Sequence, residues 1–324
     1  MRRRTAGTRS AVVLALLAAG AAVLGGGGPS GAAPASATGA PQAVRSTGQE
    51  QAGQDQAESC DLTSTVPPST VDGPAVKAIK AKGTLIIGVD QNSYRWGARN
   101  PNTGELEGFD IDLARAIGAA VMGDPAKVVL KPVSTAGRVD ALTGNQVDLI
   151  VRTMTISCAN LKKVAFSRSY FNIKQRVLVP RSSTARNLDE AISGRTVCAA
   201  DGSVAKDVLN AKKSAKQLVL VTNQLDCLVR MQLGKVDATM TDDELAVGQA
   251  AQDQTVKVVD GFEQPETIGV AMRQNSTDLT ARVNQVISDY YADKDKGWQK
   301  SFEQWVQPYL PENSKDPGLY WPAR

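Results

Sequence analysis

From residue 60 onward the chain alternates short apolar runs with amphipathic stretches, the pattern of strands and helices taking turns. Thr84-Leu85-Ile86-Ile87-Gly88-Val89 reads as a buried strand ending at Asp90, after a short helix over 71–81. A helix is expected over 111–121, with Asp110 and Asp112 at its positive end, where acids are favoured. Strands follow over 128–132 and 147–151, on either side of a short helix over 138–143. The pattern continues with a strand at 177–180, a helix at 188–192, a strand at 195–199 closed by Asp201-Gly202-Ser203, and a helix through Leu209. Strands at 218–221, 238–240, 256–259 and 267–272 alternate with helices at 223–233 and 242–251, and helices at 278–291 and 298–306 finish the chain. On the last helix, Trp298 and Trp305 have the helical spacing of core residues.

Two passages run in parallel: Leu142-Thr143-Gly144-Asn145-Gln146-Val147-Asp148 and Gln232-Leu233-Gly234-Lys235-Val236-Asp237. Each is a helix end, a glycine, a short turn and a strand opening on Asp, which predicts two α/β lobes built alike. Open α/β sheets bind ligands at the carboxyl ends of their strands, so two facing lobes predict a cleft between them.

The first 58 residues belong to another regime. Four arginines and no acid occupy residues 1–9, an apolar stretch runs from Ala11 to about Leu24, and Ala35-Ser36-Ala37 offers a small-x-small cleavage site. This is a secretory signal pattern, predicting a signal peptide over 1–37. Residues 38–58 hold almost no large apolar side chain and read as a disordered leader. The first cysteine is Cys60, far behind the apolar run, so there is no lipobox cysteine and the expectation is a secreted or extracytoplasmic protein.

Composition then narrows the chemistry. Among 324 residues there is no histidine, which removes serine–histidine and cysteine–histidine catalysis and most zinc sites. The formal charge of +4 comes from 37 basic and 33 acidic residues. Removing the four arginines before Ala37 leaves 33 of each, so the basic balance belongs to the leader and gives no reason to expect nucleic acid or a lipid surface. No cofactor and no metal are expected; the acidic run Asp242-Asp243-Glu244 lacks supporting ligands.

Gly83 to Asp90, then Leu106-Glu107-Gly108-Phe109-Asp110-Ile111-Asp112-Leu113, Val147-Asp148-Leu149-Ile150, Met154-Thr155-Ile156 and Val164-Ala165-Phe166-Ser167, in that order, resemble the family 3 extracellular solute-binding proteins, the polar amino acid receptors of ABC importers. Thr153-Met154-Thr155-Ile156-Ser157-Cys158 and Asp226-Cys227-Leu228 look most like its actinobacterial glutamate- and glutamine-binding branch. The resemblance implies an α/β fold, a two-lobed type II periplasmic-binding-protein-like clamp, with lobe 1 over 60–175 and 268–324, lobe 2 over 176–264, and a hinge of two crossing segments. It implies no catalysis, a monomer, a small-molecule ligand such as glutamate or glutamine, and an ABC permease as partner. A membrane sensor such as a kinase is the alternative partner.

Carried over residue by residue, the resemblance makes Asp242 the ligand for the ammonium, with a helix N-cap as its plain alternative. Thr155, with Thr153 beside it, would offer hydroxyl and backbone donors. Gly202 and Ser203 would face the carboxylate from a helix N-terminus. Asp90, with Tyr94 or Trp96 behind it, would touch the ligand from lobe 1. Where the family has an arginine after Met-Thr-Ile, this chain has Asn160, which offers N–H donors but no charge. Arg152 or Lys162 would have to substitute. The four cysteines allow three pairings, of which Cys60 with Cys158 and Cys198 with Cys227 keeps each bond inside one implied lobe.

Overall fold

The computed structural model describes residues 60–262 and 264–310. The expected signal peptide and leader, and the last fourteen residues assigned to lobe 1, lie outside the described residues. No helix among those described is long and apolar enough to cross a membrane.

In chain order the first half comprises α1 (Pro74–Lys82), β1 (Leu85–Val89), β2 (Asn92–Ser93), β3 (Gly97–Arg99), β4 (Leu106–Glu107), α2 (Phe109–Met122), β5 (Val128–Pro132), α3 (Arg138–Thr143), β6 (Leu149–Thr155), α4 (Cys158–Leu161) and β7 (Ala165–Ile173). Then come β8 (Gln175–Pro180), α5 (Leu188–Ile192), β9 (Thr196–Ala200), α6 (Val204–Lys212), β10 (Gln217–Val221), α7 (Leu225–Gln232), β11 (Ala238–Asp242), α8 (Asp243–Gln252), β12 (Val256–Asp260), β13 (Glu266–Met272), α9 (Thr277–Ala292) and α10 (Trp298–Trp305).

These elements form two five-stranded sheets. One has the order β5-β1-β6-β13-β7, the other β10-β9-β11-β8-β12, and β2-β3-β4 make a small third sheet. The chain crosses from the first large sheet to the second at Ile173–Gln175, where β7 ends and β8 begins, and returns between β12 and β13. The strands connected through helices pair in parallel, while β8 and β13, the strands that follow the two crossings, pair antiparallel with their neighbours.

Local chemistry explains the helices that frame the cleft. In α2, Phe109, Ile111, Leu113, Ala114, Ile117 and Val121 face the core of the first sheet, while Asp110 and Asp112 sit in the first turn. That core also takes Trp96, Tyr170, Phe171, Trp298 and Phe302, an aromatic cluster in which Trp96 lies 5.0 Å from Phe109 and 4.9 Å from Phe171 by ring centroids. The second sheet has smaller clusters of Val, Ile, Leu and Ala on its two faces.

Two disulfides are present, Cys60–Cys158 and Cys198–Cys227. The second joins β9 to α7 within the second sheet's layer. The first anchors the segment leading to α1 onto α4, just beyond β6.

Candidate functional site

The carboxyl ends of β6 and β11 meet between the two lobes. Lining this space are Thr135, Arg138, Arg152, Thr153 and Thr155 from the first lobe and Ala200, Ser203, Val204, Gln224, Thr241, Asp242 and Leu245 from the second. With the lobes in contact, the cavity they enclose is only about 20 Å³, room for about one water molecule.

An irregularity in β6 aims its side chains. Ile150 pairs with Ala271 and Met154 with Gly269, so Val151, Arg152 and Thr153 stand opposite Val270 alone. Surplus residues bend a strand and redirect its side chains. Thr153 absorbs the bend with φ of +37°, in a region side chains rarely adopt. Its N–H donates to Asp110 Oδ2 at 2.9 Å, and Asp110 Oδ1 accepts from the Tyr170 hydroxyl at 2.8 Å. Burial pushes the Asp110 carboxyl up to about 7, against these two hydrogen bonds.

Arg152 is almost wholly buried. Its Nη2 lies 2.9 Å from Asp90 Oδ2, and its Nη1 donates to Thr135 Oγ1 at 2.8 Å. Asp90 also accepts from the N–H groups of Gln91 and Asn92 and from the Ser93 hydroxyl. With these four partners Asp90 sits behind Arg152 as its counter-charge and does not line the void.

Arg138 opens α3 and is buried too. Nε donates to Thr135 O at 3.1 Å, Nη1 to the carbonyls of Arg152 and Thr153 at 3.2 Å each, and Nη2 crosses the cleft to Gly202 O at 2.9 Å. All four acceptors are neutral. Burial, and then the neighbouring Arg152 charge, lower its pKa to about 10, so at neutral pH it remains a cation, with no carboxylate ion pair among the described residues. The Ala136 N–H also donates across the cleft, to Thr222 O at 3.4 Å, so the lobes are in contact.

On the other side, Gly202 has φ of +73° and faces the 135–136 backbone, with Thr135 O only 3.4 Å from where a Cβ would stand. Its N–H donates to its own neighbour, Asp201 Oδ1. Ser203 caps α6, accepting from the Lys206 N–H while its hydroxyl donates to Ala200 O. Asp242 holds the N-cap position of α8 but makes no side-chain capping bond. Its Oδ1 accepts from Gln175 Nε2 at 2.5 Å. Burial first, and then the Glu266 charge, push Asp242 up to about 7; the Gln175 bond and Arg138 act the other way.

Of the expected residues, the structure brings Arg152, Thr153, Thr155, Ser203 and Asp242 onto one lining. Gly202 adjoins it through its carbonyl. Asn160 is elsewhere: its Nδ2 donates to Thr155 O at 2.8 Å, which holds the α4 turn. Trp96 is core, 2% exposed, because its ring fills the space among Phe109 and Phe171. Tyr94 packs edge-on to Tyr309 and lines a separate small cavity with Glu244 and Trp305. Sequence reasoning missed Thr135, Gln224 and above all Arg138. A basic residue in the first turn of a helix opposes the helix dipole, and that mismatch is the signal that could have found Arg138.

The arrangement offers guanidinium donors on one wall and a carboxyl on the other, a shape suited to holding a small zwitterion, and relatives bear on it. A Glutamine-binding protein of Geobacillus stearothermophilus is 34% identical over 197 residues, 60% of this chain and 74% of its own length. Glutamate-binding protein GluB of Corynebacterium efficiens is 25% identical over 268 residues, covering 78% and 88%. Among solved structures, an ancestral arginine-binding protein bound to arginine superposes with a TM-score of 0.62 at 29% identity over 69% of this chain and 98% of that one. The solute receptor for L-cysteine of Neisseria gonorrhoeae reaches 0.68 at 24% identity over 73% and 95%, a likeness of fold alone. Such relatives bind solutes and catalyse nothing. The family model matches residues 85–308, which take in both sheets, both crossings and every residue of the cleft lining, and by that match the chain belongs to the bacterial extracellular solute-binding proteins, family 3.

Proposed function

We propose that the protein binds glutamate or glutamine in this cleft outside the cytoplasm and delivers it to the permease of an ABC importer. The ligand's α-carboxylate would face Arg138 and Arg152, and its α-ammonium would face Asp242. The observation that carries this reading is Arg138, a buried cation whose four hydrogen bonds all go to neutral carbonyls, in the same cleft as a buried carboxyl. An incoming carboxylate supplies the missing counter-charge with charge-assisted bonds. The names of the relatives, glutamine- and glutamate-binding proteins, support the ligand class.

Closure follows from differential binding. A ligand bridging Arg138 and Arg152 on one lobe to Asp242 on the other favours the closed state over an open one, the condition for a hinged clamp to report occupancy to a partner. Isothermal titration calorimetry against all common L-amino acids tests the proposal. Binding of glutamate or glutamine is expected; a flat response to both, with Asp and Asn also silent, overturns it.

A further inference from the structure

Both crossings between the lobes converge on the carboxyl that faces the cleft. Gln175, fully buried where β8 begins, donates through one Nε2 to Asp242 Oδ1 at 2.5 Å and to Glu266 Oε2 at 2.9 Å, where β13 begins. One amide thus ties the ends of both hinge strands to the β11 carboxyl. The charges packed around Asp242 are Glu266 from β13, Asp243 and Glu244 from α8, and Arg138 from α3; Lys174 and Arg176 flank Gln175 on the first crossing, and Arg176 acts on Asp243.

Acceptors outnumber donors here. Gln175 Oε1 and both oxygens of Glu244 are buried without a hydrogen-bond donor, and the Glu244 carboxyl lies against that of Asp243. Four acids share a poorly hydrated junction in which the buried cation, Arg138, spends its hydrogen bonds on carbonyls. Like charges so placed cannot all ionise. Burial raises Glu266, Asp243 and Glu244 along with Asp242; neighbouring acids add to it at Asp242, Glu244 and Glu266, while at Asp243 the Arg176 charge acts against it.

We infer that Glu266, held beside Asp242 by the shared Gln175 amide, is a positioning residue that keeps a proton on Asp242 while the cleft is empty, and that the ligand's ammonium replaces that proton, so that binding releases one proton to solvent. The inference rests on the reading that the ammonium faces Asp242. The exchange balances: the carboxyl O–H breaks, its proton leaves to water, and the carboxylate that remains pairs with the arriving –NH3+. Affinity then rises about tenfold per pH unit below the Asp242 midpoint and levels off above it.

Calorimetry of the full chain with L-glutamate and L-glutamine at pH 6, in buffers of different ionisation enthalpy, tests this. The observed enthalpy should vary with buffer as release of close to one proton requires, and the dependence should shrink by pH 8. Glu266→Gln keeps an acceptor for Gln175 but removes the repulsion, so it should bind more tightly than wild type at pH 5.5, a gain that a merely structural contact does not produce. Binding without buffer dependence at pH 6 overturns this inference alone. Silence with every amino acid overturns the proposed function, and the exchange with it. Should the variant fail to fold, carboxyl 13C shifts of the ligand-free wild type decide: an Asp242 midpoint near neutrality supports the inference, one below pH 5 overturns it.

Discussion

Replacing Arg138 with Met separates what this residue does for closure from what it does for the fold. Three of its hydrogen bonds stay within the first lobe and one, to Gly202 O, exists only when the lobes meet. A hydrogen bond from a charged donor is worth about 1.5–3 kcal/mol net, so loss of the crossing bond alone weakens the closed state by about 2 kcal/mol. That corresponds to about thirtyfold in Kd, and more once the ligand carboxylate loses its partner. The cost to stability is smaller than three lost bonds suggest. Burial pushes the Arg138 pKa down from 12.5 to about 10, a mark of a charge disfavoured in the interior, and the Met variant no longer carries that cost, which offsets part of the lost bonds. Affinity should therefore fall at least thirtyfold while the unfolding midpoint moves by only a few degrees, with Arg138→Lys in between because one ammonium cannot reach all four carbonyls. Calorimetry with glutamate and thermal melts of the ligand-free proteins supply the two numbers. A Kd within threefold of wild type would refute the reasoning.

Other expectations follow from the same structure. Removing the Cys198–Cys227 bond, which closes a loop of 29 residues, should cost about 4 kcal/mol by the loop-entropy relation, read as a lower urea midpoint in the double Ser variant. The ligand-free protein should lose stability as pH rises from 5 to 8: Asp110 and Asp242 both titrate near 7 when folded and near 3.8 when not, so their contribution is full below the unfolded value and lost as pH passes the folded one. Asp110→Asn should flatten part of that slope in thermal melts; an unchanged slope would remove Asp110 as its source. Trp96→Ala should cost about 3–5 kcal/mol as a core truncation, with the loss appearing in unfolding curves more than in the Kd of the folded protein.

How far the sequence could be read depended on where the deciding contact lies. The strand at 128–132 and the helices at 138–143 and 188–192 have the bounds that local periodicity predicts, because one face of each meets a core. The strand at 147–151 proves to be β6, running to Thr155, since the surplus residues that bend it have no counterpart in alternation. β7 escapes a hydrophobic reading because Ser167, Arg168 and Asn172 interrupt it. Its polar groups are answered from far along the chain, Arg168 by Asn284 and Ser288. At the site, residues in motifs at strand ends were legible. Arg138 and Thr135 lie in no motif and become neighbours of Asp242 only when two lobes close; Gln224 shares a lobe with Asp242 but lies in no motif either. Asn160, where the resemblance led one to expect an arginine, bonds within its own turn.

One feature of the first sheet bears on how the molecule is made. β13, the last strand among the described residues, lies between β6 and β7, with partners along both edges. Until residues 266–272 arrive, the first sheet has a gap between β7 and β6, the strand that carries part of the cleft lining. The second sheet is built from one continuous segment with its own disulfide, all of its partners at hand once residue 260 is available. In a chain delivered from its N-terminus, the lobe begun second is therefore the lobe completed first, and the earlier strands must wait, exposed, for a strand made on the far side of it.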